Sequence, residues 1–159
     1  MTEARIRRAG AEEDWTAIRA LVAEAFAFMA GRIDPPSSIH RWTPGIFREE
    51  AGAGAAFLAH RGGRLIGCVF TRPEGDALHL GKLAVAGDQR GRGIARALVE
   101  AAAEEALGRG LAHLRLQTRI ELVENHAAFA AMGFLKTGEE AHPGLSRPTS
   151  ITMTRALGG

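Results

Sequence analysis

The chain has 159 residues, enough for one domain with a single core, and its 46% hydrophobic and 24% charged residues are the mix of an ordinary globular protein. Its formal net charge is only +2 and its basic residues are scattered, which excludes the basic stripe interleaved with aromatics that a nucleic-acid reader carries. One cysteine, Cys68, excludes an intrachain disulfide, no apolar run reaches the eighteen residues of a membrane span, and the charged start Met1 to Gly10 is unlike a signal peptide, so a cytoplasmic setting is expected.

Ile6 to Arg8 reads as a short strand, and Glu12, Glu13 and Asp14 suit the first turn of a helix, where the dipole favours negative charge. Trp15, Ile18, Val22, Ala25, Phe26 and Met29 then recur at intervals of three and four, which predicts an amphipathic helix stopping near Gly31. Asp34 to Ser38 is a loop by its prolines and serines, and Trp42 to Ala51 holds a short second helix. From Ala55 the period changes. Strands over Ala55 to His60 and Arg64 to Thr71 flank a tight turn at Arg61-Gly62-Gly63, and after a turn at Arg72 to Asp76 a third runs over Ala77 to Val85.

The connection Gly87 to Gly93 leads to a helix from about Arg92 to Leu107, closed by Gly108. Leu111 to Thr118 alternates as a strand, Leu122 to Met132 is a helix ended by Gly133, and Phe134 to Thr137 and Ser150 to Thr154 are strands around a loop at Ala141 to Pro148. This order predicts one α/β (α+β) domain over residues 1–159, a mixed sheet with helices on its faces.

The chemistry concentrates where the third of these consecutive strands passes into a helix, at Leu83-Ala84-Val85-Ala86-Gly87-Asp88-Gln89-Arg90-Gly91-Arg92-Gly93-Ile94-Ala95-Arg96. Small residues at Gly91, Gly93 and Ala95 leave backbone N–H groups uncovered at a helix start, and Arg90, Arg92 and Arg96 surround them with positive charge. That combination suits a phosphate-bearing ligand, above all a pyrophosphate, although an ordinary glycine- and arginine-rich surface turn has the same composition. A Walker loop needs Gly-Lys-Ser/Thr, which is absent, and the dinucleotide fingerprint lacks its third glycine and an obvious acidic ribose partner.

Arg90-x-x-Gly93-x-Ala95 resembles motif A of the GNAT N-acetyltransferases, Arg/Gln-x-x-Gly-x-Gly/Ala. The preceding Leu83-Ala84-Val85, the later helix from Asn125 closing on Gly133-Phe134, and the element order across nearly the whole chain are similar to that family too. The resemblance implies a mostly antiparallel sheet whose fourth and fifth strands splay apart, with the pantetheine arm of acetyl-CoA in the gap. By it, the main chain of Leu83, Ala84 and Val85 pairs with that arm, and the N–H groups of Arg90, Gly91, Arg92, Gly93, Ile94, Ala95 and Arg96 hold the pyrophosphate. Asn125 and Phe129 lie against the pantetheine. Acetyl then passes directly to an amine of a small molecule or peptide, with acetyl-CoA as cosubstrate, no metal, no nucleic acid and no membrane. Exposed last strands leave room for a homodimer. A non-catalytic acyl-CoA-binding module is the competing reading.

Two proton tasks follow from such a transfer. The amine, with a pKa near ~10.4 if lysine-like, must lose a proton, and the departing thiolate gains from receiving one. Much of the family uses a tyrosine four residues before the closing Gly-Phe; here that position is Phe129, and the chain has no tyrosine. For a thiol resembling cysteine, release as thiolate at pH 7 costs about 2 kcal/mol, which a donor or a water near the sulfur lowers.

His79 is the candidate base. It lies six residues before Val85, so alternation puts both on one face of the strand. Its position is similar to that of a histidine lining the amine path in some members, while the place of a second such histidine is Gly81. A strand histidine filling space is the plain alternative. His126 reads as a helix-surface residue, and His142 and Arg147 as loop residues able to contact an acceptor. Cys68, among Ile66, Val69 and Phe70, reads as a small core residue. The acceptor path is expected between residues 32–42 and 142–148.

Overall fold

A computed structural model describes residues 3–158, apart from the side chain of Phe28. Helix α1 (Trp15–Phe26) begins where the Asp14 carboxylate accepts the Ala17 amide at 3.0 Å. The acidic cluster therefore precedes the first turn rather than filling it. Glu13 instead takes a two-pronged bond from Arg7 on strand β1 (Arg5–Arg8), which holds its pKa down at about 2. The buried stripe of α1 is Trp15, Ile18, Leu21, Val22 and Ala25; a single 3-10 turn, Ala27–Met29, follows it. Helix α2 (Pro44–Ala53) starts two residues later than expected, where Thr43 caps the Ile46 amide at 3.2 Å and Pro44 opens the first turn.

The sheet adds β2 (Ala55–Arg61), β3 (Arg64–Glu74), β4 (Ala77–Val85), β5 (His113–Arg119), β6 (Leu135–Glu140) and β7 (Ser150–Ala156). Their order is β1-β2-β3-β4-β5-β7-β6, and every pairing is antiparallel except β4 with β5. β3 runs on through Arg72 to Glu74, so its turn to β4 is only Gly75-Asp76. β6 is an outer edge, where Leu135 is 73% exposed.

Helix α3 (Ile94–Gly108) follows β4, and helix α4 (Val123–Ala131) follows β5. Gly108 lies inside α3. The stop comes at Gly110, with φ 73°, whose amide reaches Leu107 O while Leu111 N reaches Ala106 O, the paired bonds of a left-handed helix end. Both faces of the sheet are covered. On one side Phe47 of α2 packs edge-on between Trp42 and Phe70, and fully burying a ring of that size contributes about 1.5–3 kcal/mol. On the other, Leu98, Val99, Ala102 and Ala106 of α3 are sealed against β2, β3 and β4. Among the described residues no helix is long and apolar enough to cross a membrane.

Candidate active site

Strands β4 and β5 pair only over Ala77 to Leu80 with His113 to Leu116, and beyond that they part. The second half of β4 still pairs with β3 through Val85, but its other edge, residues 81–85, faces the opening. A bulge accompanies the split. Gly81 and Ala84 oppose Phe70 and Cys68, so Lys82 and Leu83 share one partner, and Lys82 takes a φ of 50°.

The extra residue inverts the side-chain alternation. His79, Gly81 and Ala84 lie on the face covered by α1 and α2, whereas Val85 lies with Leu80 on the face of α3. His79 and Val85 thus do not share a face. Counting by twos fails across a bulge, because one residue of the run has no partner of its own.

Past Val85 the chain makes one 3-10 turn, Gly87–Gln89, with Gln89 buried and accepting from Arg61 Nε at 3.1 Å. Gly91 and Gly93 have φ of 76° and 80°, a region glycine enters without steric cost, and a side chain added at either would project into open space. Gly93 is the N-cap of α3, which therefore starts at Ile94 rather than Arg92, and no side chain caps it, unlike α1 and α2. First-turn amides have no acceptor within their own helix, so here they and the helix dipole face the opening as an anion site. Arg90 reaches the Ala25 carbonyl at 3.5 Å and Arg96 the Ala131 carbonyl at 3.1 Å, tying this corner to α1 and α4.

A single cleft of about 750 Å³ runs through the split, within the range of small-molecule sites. Leu83, Ala84 and Val85 line it from β4, and Arg90, Gly91 and Gly93 from the loop. Ile94, Ala95 and Arg96 line it from α3, and Asn125 and Phe129 from α4. Arg92 is exposed and does not line it. Phe129 rests edge-on against Phe134, centroids 5.8 Å apart. Of the stretches expected to border the acceptor, Ile33, Ser37, Ser38 and His142 reach the cleft. Lys82 and Arg119, absent from the sequence reading, line it as well.

His79 also lines the cleft. Burial pulls its pKa below the usual value; the Arg72 and Arg115 charges act the same way, and Glu74 and Glu140 oppose them. The imidazole is therefore neutral near pH 7, the state a base needs. His142 pairs through its ring with the Thr149 hydroxyl, and burial lowers its pKa too. His126 is not at the cleft; its Nε2 meets the Arg119 carbonyl at 2.9 Å. Arg147 is also outside, paired with Asp34 at 2.8 Å so that the two acceptor-side loops are strapped together.

Cys68 is fully buried, its Sγ 3.4 Å from the Lys82 carbonyl, and burial pushes its thiol up to about 12. A disulfide reagent at pH 8 is expected to leave the folded protein unlabelled and to titrate one thiol per chain in denaturant. Rapid labelling without denaturant would contradict the packing around Cys68.

Residues 15–134 match the Acetyltransferase (GNAT) family. N-acetyltransferase 8 of Mus musculus is 34% identical over 89 residues, 52% of this chain and 39% of that protein, so the chain spans well under half of this relative's length. The fold is similar to that of the PaiA N-acetyltransferase of Thermoplasma acidophilum in complex with coenzyme A, with a TM-score of 0.82 at 15% identity over 98% of this chain and 99% of that one. It is also similar to a GNAT family acetyltransferase of Elizabethkingia anophelis with acetyl-CoA bound, with a TM-score of 0.70 at 18% identity over 97% and 98%. At these identities the two structures speak for the fold alone.

Proposed function

Starting from the fact that the chain belongs to the GNAT acetyltransferase family, we propose that it transfers acetyl from acetyl-CoA directly to an amine of a small molecule or peptide. One observation carries the reading: the β4–β5 split opens directly beside the uncapped start of α3, so one continuous cleft offers an unpaired strand edge and an anion site. The donor is bipartite in the same way, an amide-bearing arm ending in a pyrophosphate. In this reading residues 83–85 pair with the arm, and the amides of residues 91–96, with Arg90 and Arg96 nearby, hold the pyrophosphate.

Bound acetyl-CoA supplies an activated acyl carbon and a thiolate leaving group. His79 takes the proton of the attacking amine, directly or through a water. Asn125 and Phe129 bound the arm from α4. No side-chain acid stands at Phe129, so the thiolate leaves at the cost of about 2 kcal/mol given above, reduced by any water at the sulfur.

Release of free thiol from acetyl-CoA on adding amines, alongside calorimetry of coenzyme A, ATP and NAD, tests the proposal. Amine-dependent release with selective coenzyme A binding is the expected result. Binding with no amine raising release above background would make the protein a carrier of acyl-CoA, and equal competition by ATP would make it a nucleotide sensor. Phe129→Tyr restores a hydroxyl at the cleft and is expected to leave turnover unchanged or raise it. A collapse of turnover with coenzyme A binding intact would mean that the apolar ring itself is required.

A further inference from the structure

Apart from its histidines, the cleft carries four basic side chains: Arg90 and Arg96 beside the α3 start, and Lys82 and Arg119 on the two strands that part. Among the described residues no aspartate or glutamate lines it. The first two cations have a role in holding a pyrophosphate. The other two do not.

Lys82 is one of only two lysines among twenty basic residues, the other being Lys136. It sits on the bulge, with its ammonium 4.4 Å from the Trp42 ring centre and 6.0 Å from that of Phe26. Aromatic faces hold it where a carboxylate is the ordinary partner; Glu50 acts on it only through its field. Arg119 ends β5. One arm of its guanidinium donates to the Pro36 carbonyl at 3.1 Å, while its Nη1 is buried without a hydrogen-bond partner. The nearby acids Glu121 and Asp34 act on Arg119 only through their fields: one Glu121 oxygen accepts the Asp34 amide at 3.0 Å while its Oε1 is buried without a hydrogen-bond partner, and Asp34 is held by Arg147. Cations withdrawn from water without a hydrogen-bonded carboxylate are costly, and their field in a cleft of low polarity attracts an anion and repels a second cation.

We propose that the acceptor amine carries an anionic group, a carboxylate or a phosphate, which Lys82 and Arg119 bind while the amine is presented to His79. The assignment rests on the acetyl-transfer reading above and narrows it. Amines of purely cationic character, such as polyamines or lysine-rich peptides, meet Lys82 and Arg119 in a cleft that, among the described residues, no carboxylate lines.

The test is thiol release from acetyl-CoA with matched acceptors: an amino acid, its amide, its decarboxylated amine, and an aminoalkyl phosphate. The best anion-bearing amine is expected to exceed the amide and the plain amine in kcat/KM by tenfold or more, equivalent to about 1.4 kcal/mol. The carboxylate and phosphate arms identify which group is used. Lys82→Met and Arg119→Met should bring the ratio towards one, while Lys82→Arg and Arg119→Lys, which keep the charge, should retain most of it. A plain amine or a polyamine used as well as its acidic counterpart overturns the acceptor class alone. So does a ratio that survives both methionine variants. If no amine at all releases thiol, the transferase reading falls and the acceptor class falls with it.

Discussion

His79→Ala is expected to slow acetyl transfer by roughly 10²–10⁴-fold, the usual size of a general-base contribution, while leaving acetyl-CoA affinity almost unchanged. The sign of the pH dependence follows from the state of the ring. A protonated imidazole cannot accept the amine's proton, so turnover in the parent protein should fall as pH drops through the pKa of His79. Burial among β4, β5 and their neighbours sets that pKa below the usual ~6.5, so the acid limb should lie on the low side of that value and turnover should be flat through neutrality. In the variant the limb should disappear, and raising the pH should partly rescue the rate because more amine is already neutral. A pH profile of both proteins with one good acceptor decides the matter. Coincident profiles and equal rates would reduce His79 to a space-filling residue and pass the proton to ordered water.

Gly93→Val should weaken coenzyme A binding by tenfold or more with the fold retained. The residue caps α3 at a φ of 80°, and its missing side chain leaves the first-turn amides open. A branched side chain would stand over those donors, and holding it in this backbone region costs about 1–3 kcal/mol. The strain predicts a lower melting temperature as well, which by itself says nothing of binding. Gly63→Val separates the two effects: Gly63 has a φ of 82° in the β2–β3 turn, away from the cleft, and the same substitution there should lower stability without touching coenzyme A affinity. Unchanged affinity in a folded Gly93→Val protein would remove the pyrophosphate from this corner.

The parts of the fold legible in the sequence are those written in local period. The i, i+3, i+4 spacing of Trp15, Ile18 and Val22 gives α1, and the apolar runs of residues 55–59 and 66–71 give strands buried on both faces. The loop from Arg90 to Arg96 is legible for the same reason, since glycines at fixed offsets between a strand and a helix have few other uses. What escapes is whatever depends on partners far along the chain. Lys82 stands out in sequence only as one of two lysines, and its place at the site waits on β3, where two residues of β4 share one opposite them. Arg147 reads as an acceptor contact until it meets Asp34, 113 positions away. Gly108 reads as the helix stop because a glycine two residues on, Gly110, does that work equally well in composition; only the Leu107 and Ala106 carbonyls decide between them.

The bulge in β4 also makes the length of this strand part of the site. Its two halves run half a period out of phase, with His79 and Gly81 in one phase and Val85 in the other. A deletion of one residue at Lys82 or Leu83 would restore regular pairing with β3 and leave both halves on their present faces, but it would abolish the bulge on which Lys82 sits and which accompanies the split from β5. Loops such as Gly62-Gly63 can gain or lose a residue at little expense to the rest of the molecule, whereas between Gly81 and Ala84 the count itself is under constraint. Among descendants of this chain, substitutions are therefore expected to accumulate in this stretch far more readily than insertions or deletions.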